Sequence, residues 1–578
     1  MKKLLIHSNN TSFNNTELFP LAEQFVFDVD FDKDVDFYVN ENLTNGGLKQ
    51  KLEKCDIVFI KVSLSKNYLE YLGLRLAYHI RLTKSIGTKA YLPIVFIAEE
   101  SLQYLGLTHP EPSILFTTGI YLIKESLEDY QKTINCFNEG KIKTLDNIAN
   151  FVSSVSINPP ANYLSHHSIA NEWSILRWAK VLGISTDREA LKDVRNNIES
   201  LLYFKYLQTK YPIETEPDEA LFRINGKGRI LYIDDEWNKG WNLVLQKLVS
   251  ISPGVNLETF NYDFKDRDRD EIIIDCEKKI KDSNPDLVFL DLRLSDSDFD
   301  NKLKTNELTG YKVLKIIKSI NPGIQVIIFT ASNKVWHHSA LQNSAADGFI
   351  IKESPENSIT SGSTLKAIGD LISIINKCLA RIYLKEFYVN LDILNSKLIP
   401  RKNYKKSDAP LPKEFVDESL KWFELSCEVL RKDTSQSMMT ASFLFMFSVL
   451  ENLSNRLINV ENPIPIVRQS NQQLFWFEFR GTSQKLKRFQ DDEKNIGFYR
   501  RTNGHLKTTR NIPWKFKILN ALDFITDNKM KEEELSVLIK KRNDLVHANS
   551  TTGDIFTINI DLLVTLNSII FKGLSNVK

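Results

Sequence analysis

Residues 229–236 read RILYIDDE, 285–295 PDLVFLDLRLS, 326–332 VIIFTAS and 347–355 DGFIIKESP. The apolar runs LYI, LVFL, VIIF and GFII are short, rich in Ile, Val and Phe, and separated by helical-looking sequence. That alternation argues for buried parallel strands joined by crossover helices. Polar residues stand where each run stops: Asp234 and Asp235, then Asp291, Thr330 and Lys352. In an open α/β sheet the carboxyl ends of the strands form the ligand crevice. One site would therefore collect three carboxylates, a hydroxyl and a lysine. Clustered carboxylates repel one another unless a cation joins them, and hard oxygen ligands suit Mg²⁺. A lysine and a threonine beside them can neutralise and hydrogen-bond a phosphoryl oxygen.

With these residues in place, the stretch resembles the receiver domain of two-component response regulators, a flavodoxin-like doubly wound fold. Thr330 and Lys352 lie 22 residues apart, with Phe349 three before the lysine, in keeping with that family. The resemblance implies Asp291 as phospho-acceptor and a histidine kinase as partner. It makes Asp234, Asp235, Asp291 and the carbonyl of Arg293 the Mg²⁺ ligands, Asp234 through water. Thr330 and Lys352 would sense the phosphate, and Phe349 would be the switch aromatic. Two departures stand out. Ser295 and Glu353 occupy positions where the family usually has proline, and the loop 295–309, SDSDFDNKLKTNELT, is longer than the family's.

The first 135 residues read as a degenerate copy. CDIVFIKVSLS at 55–65 matches PDLVFLDLRLS, and IYLIKES at 120–126 matches GFIIKES. The acceptor position carries Lys61, the threonine position Ile97, and LLIHSNN at 4–10 offers no acidic pair, although Lys124 remains opposite Lys352. With a lysine where the cation would sit, neither metal nor phosphoryl chemistry is expected, so this half resembles a pseudo-receiver that binds a partner, dimerises or stands as a retained structural module.

The division expected is 1–135 pseudo-receiver, 136–227 helical connector, 228–362 receiver, 363–412 extended helix and linker, and 413–578 a helical domain. In the connector, Trp173 and Trp178 are expected to fill a core or an interface. His166 and His167 are adjacent, which on a helix points them about 100° apart rather than at one ligand. After 363 an apolar stripe runs from Leu365 toward Leu394, either as one long rod or as two ordinary helices.

In the last domain, EEELSVLIKKRNDLVHA (532–548) places Arg542 inside an apolar stripe of Leu535, Leu538, Ile539, Leu545 and Val546. A buried guanidinium needs partners. Asn543 and His547 are four apart, so their side chains can meet. Arg542-Asn543-Asp544-Leu545-Val546-His547 resembles the R-x4-6-H signature of HEPN domains, many of which are metal-independent endoribonucleases built from two paired copies. The resemblance implies His547 as general base or acid, Arg542 as stabiliser of the phosphorane charge, Asn543 as orienter, RNA as substrate and a homodimer through this domain. Glu451 and Asn452 are candidates for further polar contacts. Lys485 to Lys517 is basic and interspersed with aromatics, which suits phosphates and unpaired bases.

The chain has 578 residues, 42% hydrophobic and 26% charged, with a net charge of +2, which fits several globular domains. Five cysteines lie far apart with no CxxC pair, which argues against a zinc or disulfide framework and fits a reducing compartment. No signal peptide or membrane span is legible, so a cytoplasmic protein is expected. The expected function is a response regulator in which phosphorylation of Asp291 controls a HEPN endoribonuclease, in stress or phage defence by analogy. The alternative is a phosphorylation-controlled scaffold whose HEPN-like domain binds a partner or RNA without cleavage.

Overall fold

The computed structural model describes residues 1–9, 22–28, 34–65, 70–160, 169–213, 222–300, 303–331, 346–356, 358, 360–398, 413–457, 476–479, 482–485, 518, 532–546 and 557–575. Two compact units form, one of residues 1–314 with 326–379 and the other of 315–325 with 380–578.

The first unit holds two parallel sheets. Strands β1 (Lys3–His7), β2 (Ala22–Val26), β3 (Ile57–Lys61), β4 (Ile94–Ile97) and β5 (Ile120–Ile123) pair in parallel in the order β2-β1-β3-β4-β5. Strands β6 (Gly228–Ile233), β7 (Val255–Thr259), β8 (Leu287–Leu290), β9 (Gln325–Thr330) and β10 (Gly348–Ile351) repeat that order as β10-β9-β8-β6-β7. This is the flavodoxin-like order, and the strand order reverses between β6 and β8, which pair in parallel. Every residue of β4, β8 and β9 is buried, as strands covered on both faces must be. Helices α1 (Val35–Thr44), α2 (Gly47–Lys54), α3 (Leu72–Leu82), α4 (Leu102–Thr108) and α5 (Leu127–Asn138) belong to the first sheet. Four more follow as the connector: α6 (Ile148–Ser154), α7 (Ile169–Val181), α8 (Glu189–Ser200) and α9 (Leu202–Lys210). The second sheet carries α10 (Trp241–Ser250), α11 (Arg269–Ser283), α12 (Thr309–Ile320) and α13 (Ser363–Leu379).

One glycine per module fixes the approach of the helix that follows the third strand. A Cβ on Gly73 would lie 2.3 Å from the carbonyl oxygen of Lys61, and one on Gly310 would lie 2.0 Å from that of Asp291. Only glycine allows this contact. Lys61 and Gly73 are 12 residues apart but Asp291 and Gly310 are 19 apart, which locates the insertion between them. That longer loop is ordered around the buried Asp298, whose carboxylate accepts the amides of Leu294, Ser295 and Thr309, the Thr309 hydroxyl and the Arg269 guanidinium, all at 2.9–3.1 Å.

The connector is fused to the first module by a buried polar network. Arg75 donates two hydrogen bonds to Asp36, at 2.6 and 2.8 Å, and the amide of Leu202 on α9 donates another at 2.9 Å. The His79 Nε2 lies 2.9 Å from the same carboxylate, while its Nδ1 lies 3.2 Å from the Lys205 ammonium. An imidazole between a carboxylate and an ammonium is a neutral tautomer, donating to one and accepting from the other. Burial together with the Lys205 charge lowers the His79 pKa to about 4. Burial alone would raise the Asp36 carboxyl, but the His79 ring and the Arg75 fork override it and hold it well below the usual range.

The second unit is helical, with α14 (Tyr383–Leu398), α15 (Lys413–Lys432), α16 (Gln436–Leu457), α17 (Glu532–Val546) and α18 (Ile560–Ser575) around a core that includes Phe387, Phe423, Phe447, Leu538 and Leu566. Residues 363–398 form two helices rather than one rod. The break falls at 380–382, where the Arg381 guanidinium turns to the last carbonyls of α15, 3.1 Å from that of Leu430 and also bonded to that of Arg431. A cation there complements the negative end of the helix. The domain is not wholly helical either. Strands β11 (Trp476–Phe479) and β12 (Thr482–Lys485) pair antiparallel. The signal was an aromatic run and a polar run separated by Arg480 and Gly481 alone.

The His79 shift has a testable sign. Between pH 6.5 and about 4 the unfolded chain takes up a proton that the buried, neutral ring refuses. Stability is therefore complete above the unfolded value and is lost as the pH falls through that window, by on the order of 3 kcal/mol. Denaturant titrations across this range are expected to show a shallower loss in His79→Gln than in the wild type; equal losses would contradict the assignment.

Candidate functional site

The strand order delivers the predicted polar residues to one end of the second sheet. Asp234 and Asp235 follow β6, Asp291 follows β8, Thr330 ends β9 and Lys352 follows β10. Asp234, Thr330 and Lys352 are almost completely buried and Asp291 nearly so. One ligand atom each from Asp234, Asp235 and Asp291 falls within 4.8 Å of the others. The Lys352 ammonium lies 2.8 Å from Asp234 and 3.7 Å from Asp291. The Thr330 hydroxyl also hydrogen-bonds Asp291. Backbone bonds hold the frame: the Asp291 amide donates to Ile233 at 3.0 Å and the Lys352 amide to Thr330 at 2.7 Å. Behind the lysine, its Nζ faces the rings of Trp241 at 5.7 Å and Phe329 at 5.2 Å.

Burial and mutual repulsion govern the charges. Burial, then the charges of Asp234 and Asp291, push the Asp235 carboxyl up to about 9. Burial raises Asp291 to about 6, with Lys352 opposing and Asp234 adding to the rise. Burial would discharge Lys352, but Asp234 and Asp291 outweigh it and keep the ammonium charged. One lysine does not balance three carboxylates, so the cluster favours holding a proton. Three carboxylate oxygens within 4.8 Å of one another could hold a hard divalent cation in that proton's place.

The remaining predicted residues divide. Phe349 lies half-buried on β10, in register with Ile328 of β9. Arg293 sits two residues past Asp291, with its guanidinium 5.1 Å from the Phe299 ring centroid. Arg542 on α17 is joined to Glu451 on α16 at 2.7 Å, and its Nη1 lies 3.5 Å from Asn543 Oδ1. Leu535, Leu538 and Ile539 of its stripe are buried, Leu545 is half-buried, and Val546 is 49% exposed, so the stripe closes one turn earlier than its periodicity suggests. His547, His166, His167 and the basic stretch 486–517 lie outside the described residues.

In the first module the corresponding crevice is built differently. Lys61 stands at the acceptor position and pairs with Glu125 at 2.9 Å. Ile97 fills the threonine position. Lys124, expected opposite Lys352, is exposed. Glu125 beside it has turned to the crevice in its place.

A family model described as "iREC: Inactive Receiver domain" matches residues 3–123. No curated protein matches the chain. With the flavodoxin-like strand order, this match gives the chain a regulatory or signalling role, and a receiver module generally has a kinase partner. Among the described residues no helix is long and apolar enough to cross a membrane.

The two lysine pairs are expected to differ in worth. Lys352→Met leaves Asp234 as an uncompensated buried charge and should cost about 3–5 kcal/mol. Lys61→Met, whose pair is 14% and 16% exposed and so partly screened, should cost less, about 1–3 kcal/mol. Chemical unfolding followed by fluorescence measures both, and equal losses would contradict this electrostatic picture.

Proposed function

We propose that the chain is a response regulator whose 228–362 module accepts a phosphoryl group on Asp291 from a histidine kinase. The observation that carries this reading is the Lys352 ammonium 2.8 Å from Asp234 and 3.7 Å from Asp291 in a buried crevice of three carboxylates. A carboxylate oxygen of Asp291 attacks phosphorus, the phosphorus–nitrogen bond of the kinase phosphohistidine breaks, and its electron pair returns to the imidazole. Asp234, Asp235, Asp291 and the carbonyl of Arg293 would hold Mg²⁺, which when bound neutralises the carboxylates and the phosphoryl oxygens. Lys352 and Thr330 bind those oxygens, and Phe349, a neighbour on the adjoining strand, responds to the movement of Thr330.

The output in this reading is a HEPN-like endoribonuclease at 413–578 that acts as a homodimer on RNA, in stress or phage defence. Arg542 stabilises charge on the phosphorane, Asn543 orients it, and His547 moves the proton of the ribose 2′-hydroxyl. A second reading has a specific observation in its favour: Glu451 already neutralises Arg542, as a structural pair would. In that case the domain is a scaffold that binds a partner or RNA without cleaving it.

Cleavage of RNA by the full chain, with and without beryllofluoride and Mg²⁺, separates the two. The nuclease reading expects His547→Ala to lower the rate by about 10²–10⁴-fold. It also expects Asp291→Ala to remove the response to beryllofluoride. RNA that is bound but never cut would give the scaffold reading its place.

A further inference from the structure

The same four residues, Ile-Lys-Glu-Ser, close the fifth strand and run on from it in both modules, at 123–126 and 351–354. They are used in opposite ways. In the first module the lysine is exposed and Glu125 reaches into the crevice to pair with Lys61. In the second, Lys352 faces the crevice and Glu353 is turned away from it.

What draws it out comes from the connector. Arg177 and Trp178 on α7 donate to the Glu353 carboxylate at 3.2 and 3.0 Å. Thr364 and Ser358 add hydrogen bonds at 2.9 and 2.6 Å, and the Trp173 indole donates to Ser358 at 3.1 Å. Arg177 and Glu353 are each almost completely buried, so the bond is formed away from water. The same helix reaches the opposite wall. Asn171 accepts from the Trp241 indole at 2.8 Å and donates to Glu236, the neighbour of Asp235. Trp241 packs edge-to-face on Trp178 and presents its ring to Lys352.

We propose that α7 is a working part of the receiver site, with Arg177 and Trp178 as positioning residues that hold Glu353 away and so leave Lys352 free to bind a phosphoryl oxygen. A proline at this position fixes the backbone through its ring. Here a side-chain clamp supplied by the connector does so, which makes the crevice dependent on a segment outside the receiver module. The inference rests on the phospho-acceptor reading above.

The test uses the full chain with beryllofluoride as phosphoryl mimic, its binding followed by fluorine NMR at saturating Mg²⁺. Arg177→Met should weaken binding by about tenfold, the worth of one charge-assisted hydrogen bond. Mg²⁺ affinity, set by the carboxylates, should stay within about twofold. Because Arg177→Met leaves a buried charge that could impair folding, the double variant R177M/E353Q, which removes that charge and the competitor together, is the deciding one. It should recover most of the lost affinity. Unchanged binding in Arg177→Met, or a double variant no better than the single one, overturns the positioning role alone. If the wild type binds no beryllofluoride with Mg²⁺, both this inference and the phospho-acceptor reading fall.

Discussion

The crevice at the end of the second sheet turns on one electrostatic constraint. Three carboxylates share a crevice with a single ammonium, and the imbalance is met by a proton or a cation. The parallel sheet creates this constraint, because its strand order brings the ends of β6, β8, β9 and β10 together while the apolar bodies of β8 and β9 are buried on both faces. The arrangement is costly for stability alone, since a buried ion pair is often no better than apolar packing of the same volume. Under the proposed phospho-acceptor reading its value lies in responsiveness, because charge added to Asp291 would change what Lys352 and Thr330 bond.

The first module shows the same frame with the constraint removed. Lys61 and Glu125 neutralise each other at the crevice, so no surplus charge calls for a cation. The glycine that lets the following helix touch the acceptor-position carbonyl is retained in both modules, as Gly73 and Gly310. The fold is thus preserved where geometry demands it and altered where chemistry would. The modules also differ in which member of an identical Lys-Glu pair faces inward, and in the second a connector helix holds the glutamate through Arg177 and Trp178.

Much of this was legible in the residues. Short apolar runs ending in Asp, Asp, Thr and Lys specify both the parallel strands and the place where their polar ends meet, because strand order and crossover handedness leave few alternatives. The repeat of IKES and of the SLS and RLS runs disclosed the duplication. Long-range partners were not legible. Nothing local in Asp36 predicts that α9 will close over it, and nothing local in Glu353 predicts Arg177, 176 residues earlier. The break at Arg381 depends on a helix end 49 residues ahead of it, so an apolar stripe alone could not place it. The Glu451–Arg542 pair was within reach, since a guanidinium set in an apolar stripe demands a carboxylate, but helix periodicity does not say which one.

The central claim is that chemical competence resides in the second sheet and not in the first. Incubating the full chain with acetyl phosphate and Mg²⁺, trapping acyl phosphates with borohydride and mapping the peptides tests it most directly. The account requires label on Asp291, none on residues 1–135, and none anywhere in Asp291→Ala. Label that persists in Asp291→Ala, or a wild type that takes none, would contradict it.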